Sequence, residues 1–99
     1  MIRFDAADVF LVTGASAGIG ARIAGLLVEL GATVIASGRD RGRLEGIRDA
    51  SPSPARFLVH PRDLSADLDA HADWVIQLAA RHGPLRGLVH SAGAVEVVS

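Results

Sequence analysis

The stretch Thr13-Gly14-Ala15-Ser16-Ala17-Gly18-Ile19-Gly20 is suited to holding an anion with main-chain atoms. It joins an apolar run, Val9 to Val12, to the start of a helical pattern. Where a strand turns directly into a helix, unsatisfied N–H groups and the positive end of the helix dipole converge on one spot, which suits a pyrophosphate. Gly14 permits the sharp turn, Gly18 removes a Cβ that would stand between backbone and phosphate, and Gly20 lets the helix lie tight against the sheet. Ser16 reads as a phosphate or turn donor rather than a nucleophile, and no serine stands in a G-x-S-x-G elbow. The G-x-x-x-x-G-K-[ST] phosphate loop is excluded because no lysine follows.

Three further groups of candidate residues are Ser37-Gly38-Arg39-Asp40, Asp63-Leu64 and His90-Ser91-Ala92-Gly93. Arg39 offers a guanidinium that can grip a phosphate in bidentate fashion, or it forms an exposed helix start with Arg41 and Arg43. Asp63 can serve a ligand or cap its own loop. His60, His71 and His82 lie too far apart for a local metal pattern such as H-E-x-x-H. Trp74 reads as core or partly covered surface, and His90 as a buried strand-end histidine.

The elements that position these residues alternate between short apolar runs and longer helical periodicities, the signature of βαβ units and a parallel sheet. Strand one is Val9 to Thr13, followed by a helix from Gly18 to Leu30 with Ile19, Ile23, Leu27 and Leu30 on its inward face and Gly31 as its stop. Strand two is Thr33 to Ser37, and Asp40 caps a weaker helix that turns Leu44 and Ile47 inward. Ser51-Pro52-Ser53-Pro54 is a loop. Strand three is Arg56 to His60. Ser65 caps a third helix to about His82, with Leu68, Ala72, Val75, Ile76 and Ala79 inward, and Gly83-Pro84 ends it. Strand four is Gly87 to His90; Ala94 to Ser99 is too short to place. Right-handed crossovers give a doubly wound Rossmann-type α/β sheet of order 3-2-1-4, with the ligand crevice between strands one and four. Each candidate group then falls at the carboxyl end of a strand.

With 99 residues, 49% of them hydrophobic, the chain makes one domain. Its net charge of −1 is spread along the sequence, which argues against nucleic acid and anionic membranes as partners. It contains no cysteine, so disulfides, thiolate metal sites and a cysteine nucleophile are excluded; with neither a leader pattern nor a membrane-length apolar run, a cytoplasmic protein is expected.

The T-G-x-x-x-G-x-G spacing, with small residues between its glycines, resembles the short-chain dehydrogenase/reductase family of NAD(P)-dependent oxidoreductases. The resemblance implies cofactor contacts at Gly14, Ser16, Gly18, Ile19, Gly20, Arg39, Asp63, Leu64, Ala92 and Gly93, with no catalytic or metal-binding residue in the chain. It implies that Gly38-Arg39 favours NADP over NAD, where an acid at the Gly38 position would favour NAD. It sets Asp63-Leu64 against the adenine, and Ala92-Gly93 beside the cofactor's second ribose. His90-Ser91 departs from the family's paired asparagines.

The family protonates its carbonyl substrate with a tyrosine assisted by a lysine four positions later, and this chain holds neither residue type. Residues 1–99 are therefore expected to be the N-terminal, cofactor-binding part of a longer enzyme that acts on a small-molecule carbonyl or alcohol, and to be inactive alone. A non-catalytic dinucleotide sensor and a structural remnant are the competing readings. A methyltransferase is disfavoured because Gly38 stands where an acid would be wanted. An open strand-four edge through Leu88 and Val89 would lead to self-association.

Overall fold

Two apolar layers, one on each side of a parallel sheet, account for the near-continuous hydrophobic runs of the strands. The computed structural model describes residues 2–16, 18–62, 68–91 and 95–98. The strands are β1 (Val9–Thr13), β2 (Thr33–Ala36), β3 (Phe57–Val59), β4 (Leu85–Ser91) and β5 (Val95–Val98). The helices are α1 (Gly18–Glu29), α2 (Arg41–Ala50) and α3 (Leu68–His82), with a 3₁₀ turn at Pro54–Arg56. The sheet order is β3-β2-β1-β4-β5, with β1 to β4 mutually parallel, as the βαβ alternation requires.

Side chains alternate between the layers. Val12, Val34, Ala36, Phe57 and Val89 pack with Ala24 and Val28 of α1 and Leu44 of α2. Val9, Leu11 and Ile35 pack with Leu78 of α3, joined by Leu58, Trp74, Val75 and Leu88. A period of two on each strand thus serves both layers.

Both long helices turn a different face inward from the one their large aliphatics suggest. In α1 the buried residues are Gly20, Ala24 and Val28, while Ile19 is 59% exposed and Ile23 and Leu27 pack only partly. The helix runs so close to the sheet that small residues take the contact line and larger ones move to its flanks. In α3 the inward group is Trp74, Val75 and Leu78, and Ile76 is 66% exposed. Of the expected stripe Val75 does face inward, Ala79 is half-buried, and Ala72 and Ile76 are exposed, because indole and leucine volume sets the rotation. Leu30 lies just past α1, and Ser65 lies outside the described residues.

Gly31 ends α1 with φ +107°, and its missing Cβ makes room for the Phe4 carbonyl. Phe4 in turn donates its N–H to the Leu30 carbonyl at 2.8 Å and sets its ring edge-on to Phe10. The leading segment is thereby pinned to the end of α1.

At the other side of the sheet, β5 pairs antiparallel with β4, placing Val97 opposite Val89 and Val98 opposite Leu88. The expected open edge at Leu88 and Val89 is therefore covered from within the chain, and self-association argued from that edge loses its basis. The four residues Val95–Val98 suffice because antiparallel pairing needs only a short connection, unlike another parallel crossover.

Candidate functional site

The ends of β1 and β2 are tied together before any ligand is considered. Beyond β2, the Ser37 N–H donates to the Val12 carbonyl at 2.9 Å, and the Ala15 N–H returns a bond to the Ser37 carbonyl at 2.9 Å. On the other flank of β1, Thr13 lies opposite His90 and its hydroxyl donates to the Val89 carbonyl at 3.4 Å. The turn Gly14-Ala15-Ser16 is thus held over the junction of β2, β1 and β4, the topological switch point at which open α/β sheets bind ligands.

Gly14 and Gly18 both adopt left-handed conformations, φ +65° and +59°, which side chains other than glycine rarely take. Apart from its chain neighbours and its own helix, a Cβ on Gly18 would meet no atom of the described residues within 4 Å, so it would project into open space. Helix α1 begins there with no acidic residue in its first turn, and its positive end has no countercharge from that turn. These features fit an anionic cofactor: a left-handed glycine, open space and converging N–H groups are what a pyrophosphate requires. Gly20 is buried against the sheet, as its packing role demands. Ile19 is exposed at the first turn of α1 and lines a shallow cavity of about 730 Å³ between α1 and α2, with Arg22, Leu26 and Ile47.

Gly38 has a second reason to be glycine that the sequence does not display. A Cβ there would lie 3.0 Å from the Ser16 hydroxyl and 3.2 Å from its Cβ. Ser16 is therefore wedged between the anion turn and the end of β2, where its hydroxyl borders both. Arg39 follows on the surface. Asp40 follows Arg39, and its Oδ1 accepts the Arg43 N–H at 3.1 Å and caps α2. Ser37 is fully buried, and its hydroxyl has no hydrogen-bond partner among the described residues.

The chain beyond β3 stays beside β2. His60 donates its N–H to the Ala36 carbonyl at 2.9 Å and Arg62 donates to the Gly38 carbonyl at 2.8 Å. Pro61 between them has no N–H to place, which an edge strand tolerates. The His60 ring meets the His82 ring edge-on at 5.7 Å, and the Arg62 guanidinium lies 4.8 Å from the centre of the Trp74 ring. Burial pushes the His60 pKa below its ordinary value, and the positive charges of His82, Arg81 and Arg41 push it in the same direction. Among the described residues no group of His, Asp and Glu could hold a metal ion, and no helix is long and apolar enough to cross a membrane.

The structure thus brings together Gly14, Ser16, Gly18, Gly20 and Arg39 at one corner. Asp63, Leu64, Ala92 and Gly93 lie outside the described residues. Sequence reasoning passed over Arg62 and the contact of Gly38 with Ser16, both of which depend on pairing between segments distant in the chain.

Residues 8–99 match the family model described as short chain dehydrogenase. The chain is 37% identical over 83 residues to L-xylulose reductase of Caenorhabditis elegans, an alignment that covers 84% of this chain and 32% of that protein. Among solved structures it is similar to the oxidoreductase yciK from E. coli, with TM-score 0.79, 27% identity, and coverage of 93% of this chain and 39% of that one. It is also similar to a short chain dehydrogenase from Shigella flexneri 2a strain 301 complexed with NADP, with TM-score 0.76, 26% identity, and coverage of 93% and 40%. The chain spans about a third of the length of the curated relatives it matches.

Proposed function

The chain belongs to the short chain dehydrogenase family, and on that footing we propose that it forms the NADP-binding part of an oxidoreductase acting on a carbonyl or alcohol. The observation that carries this reading is the joint built at the ends of β1 and β2. An open-fronted helix start at Gly18 and the Gly38-Arg39 corner are locked side by side by the Ala15–Ser37 bond and by Ser16 seated on Gly38. One dinucleotide can span both. The nicotinamide cofactor, when bound, would donate a hydride to a carbonyl in its reduced form or accept one from an alcohol in its oxidised form.

The chain's own residues bind and orient. The N–H groups at the start of α1 hold the pyrophosphate, and the left-handed Gly14 and Gly18 let it approach the backbone. Arg39, at the surface beside Gly38, pairs with the 2′-phosphate through its fork of donors. Asp40 accepts the Arg43 N–H and caps α2. Asp63 and Leu64 would flank the adenine, and Ala92 and Gly93 the second ribose.

A second reading, a dinucleotide-binding module without turnover, needs no residue type that residues 1–99 lack. Calorimetric titration with NADPH and NADH, repeated on Arg39→Ala, tests the cofactor assignment. A preference for NADPH that disappears in the variant supports it, and no binding of either nucleotide refutes it. The affinity found in the same titration separates the two readings: a module without turnover binds the dinucleotide tightly by itself, whereas the cofactor-binding part of a longer enzyme binds it weakly.

A further inference from the structure

We propose that Arg62, held against Trp74, is a second cation of the subsite for the adenosine 2′-phosphate and shares with Arg39 the discrimination of NADP from NAD. The inference rests on the cofactor reading above and goes beyond it by naming a residue that no motif marks.

The placement begins with the backbone. The Arg62 N–H donates to the Gly38 carbonyl at 2.8 Å, so Arg62 stands level with the residue pair that reads the ribose, one strand further toward the sheet edge. Pro61 stiffens the approach, because its φ is fixed and its missing N–H falls on the side where β3 has no neighbour. His60 N–H, bonded to the Ala36 carbonyl, sets the same register two residues earlier.

The side chain is set by packing. Leu58 of β3 turns toward the α3 layer, and the alternation of the extended chain carries His60 and Arg62 to the same side. There the guanidinium lies over the half-buried Trp74 ring at 4.8 Å. Contact with the indole restrains the guanidinium, and a planar fork of five donors suits an oxyanion. A long side chain that would otherwise lose much rotamer freedom on binding a phosphate is already partly ordered.

Further cations lie near this corner. Arg41 at the start of α2, and Arg81 and His82 at the end of α3, all raise the potential at His60, two residues from Arg62.

The chain's single tryptophan makes the test direct. Adenosine 2′,5′-bisphosphate and adenosine 5′-monophosphate are titrated separately while Trp74 emission is followed at an excitation wavelength where adenine is transparent. The bisphosphate is expected to bind more tightly and to change the emission, because it draws on the guanidinium that covers the indole. Arg62→Gln should weaken the bisphosphate by about 2- to 5-fold, the range for one partly exposed charged contact, and leave the monophosphate unchanged. Arg62→Lys, the milder replacement should Arg62→Gln fold poorly, should show the same selective loss at smaller size. Equal weakening of both nucleotides would mean that the stacked face serves the base, and would overturn the assignment. So would unchanged affinities in Arg62→Gln alongside a lost preference in Arg39→Ala, an outcome that leaves the cofactor reading standing. Failure of the unsubstituted chain to bind either nucleotide would overturn both.

Discussion

Arg56 is the residue whose removal should cost the fold most for a side chain outside the apolar layers. Its Nη1 donates to two carbonyls, Val28 at 2.9 Å and Ala32 at 2.7 Å. Val28 lies in the last turn of α1 and Ala32 just beyond Gly31, so one guanidinium fastens the 3₁₀ turn before β3 to the negative end of α1. A hydrogen bond from a charged donor contributes about 1.5–3 kcal/mol when its partner would otherwise stay dry. A cation at a helix C-terminus adds about 0.3–1 kcal/mol. Because the contact is only part-buried, water can replace some of what is lost, and we set the net cost of Arg56→Met at about 2–3 kcal/mol. Methionine keeps much of the apolar stem and isolates the polar loss. For a domain of this size 1 kcal/mol moves the melting temperature by about 4–8 °C, so thermal denaturation followed by circular dichroism should fall by about 10–20 °C. Arg56→Lys should recover less than half, since a single ammonium lacks the fork. A melting temperature for Arg56→Met within about 2 °C of the parent, well inside the shift that 1 kcal/mol produces, would refute the reasoning.

Other substitutions test separate parts of the account. Gly31→Ala brings a methyl into the Phe4 carbonyl at φ +107°; it should destabilise by about 2 kcal/mol or more and expose the leading segment to limited proteolysis, the cleavage pattern being the readout. Ser37→Ala removes a buried hydroxyl without a partner among the described residues and should raise stability in urea by about 1 kcal/mol. His60 titrates below its ordinary value in the fold, so the unfolded chain binds its proton first as pH falls. Stability contributed by neutral His60 is complete above the ordinary histidine range, near 6.5, and is lost as pH drops from there through the depressed value. Urea midpoints measured from pH 7.5 to 5 should decline, and His60→Gln should flatten that decline.

The parts of the molecule legible in the sequence are those dictated by local chemistry. A strand ending at Thr13 and a helix starting at Gly18 need left-handed residues between them, and only glycine supplies these cheaply, so the anion turn shows in residue type alone. The cap at Asp40 is equally local. Helix rotation is not. In α1 both the Ile19, Ile23, Leu27 stripe and the Gly20, Ala24, Val28 stripe have helical spacing, and the choice between them depends on how closely the helix approaches the sheet. In α3 a single Trp74 outweighs the alanines. β5 is a short valine-rich segment whose identity as a strand comes from the neighbour it finds in β4. Likewise, Gly38 with Ser16, Arg62 with Gly38 and Arg56 with α1 join segments far apart in the chain, and no local pattern announces them.

The central claim is that one dinucleotide bridges the start of α1 and the end of β2. Backbone amide NMR of the chain during titration with NADPH tests it at residue level. The account predicts that the largest shift changes fall on Gly14 to Gly20 and on Ser37 to Arg39, with the α1–α2 cavity residues Leu26 and Ile47 unmoved. Changes centred on that cavity, or no saturable change at the β1–α1 turn, would contradict it.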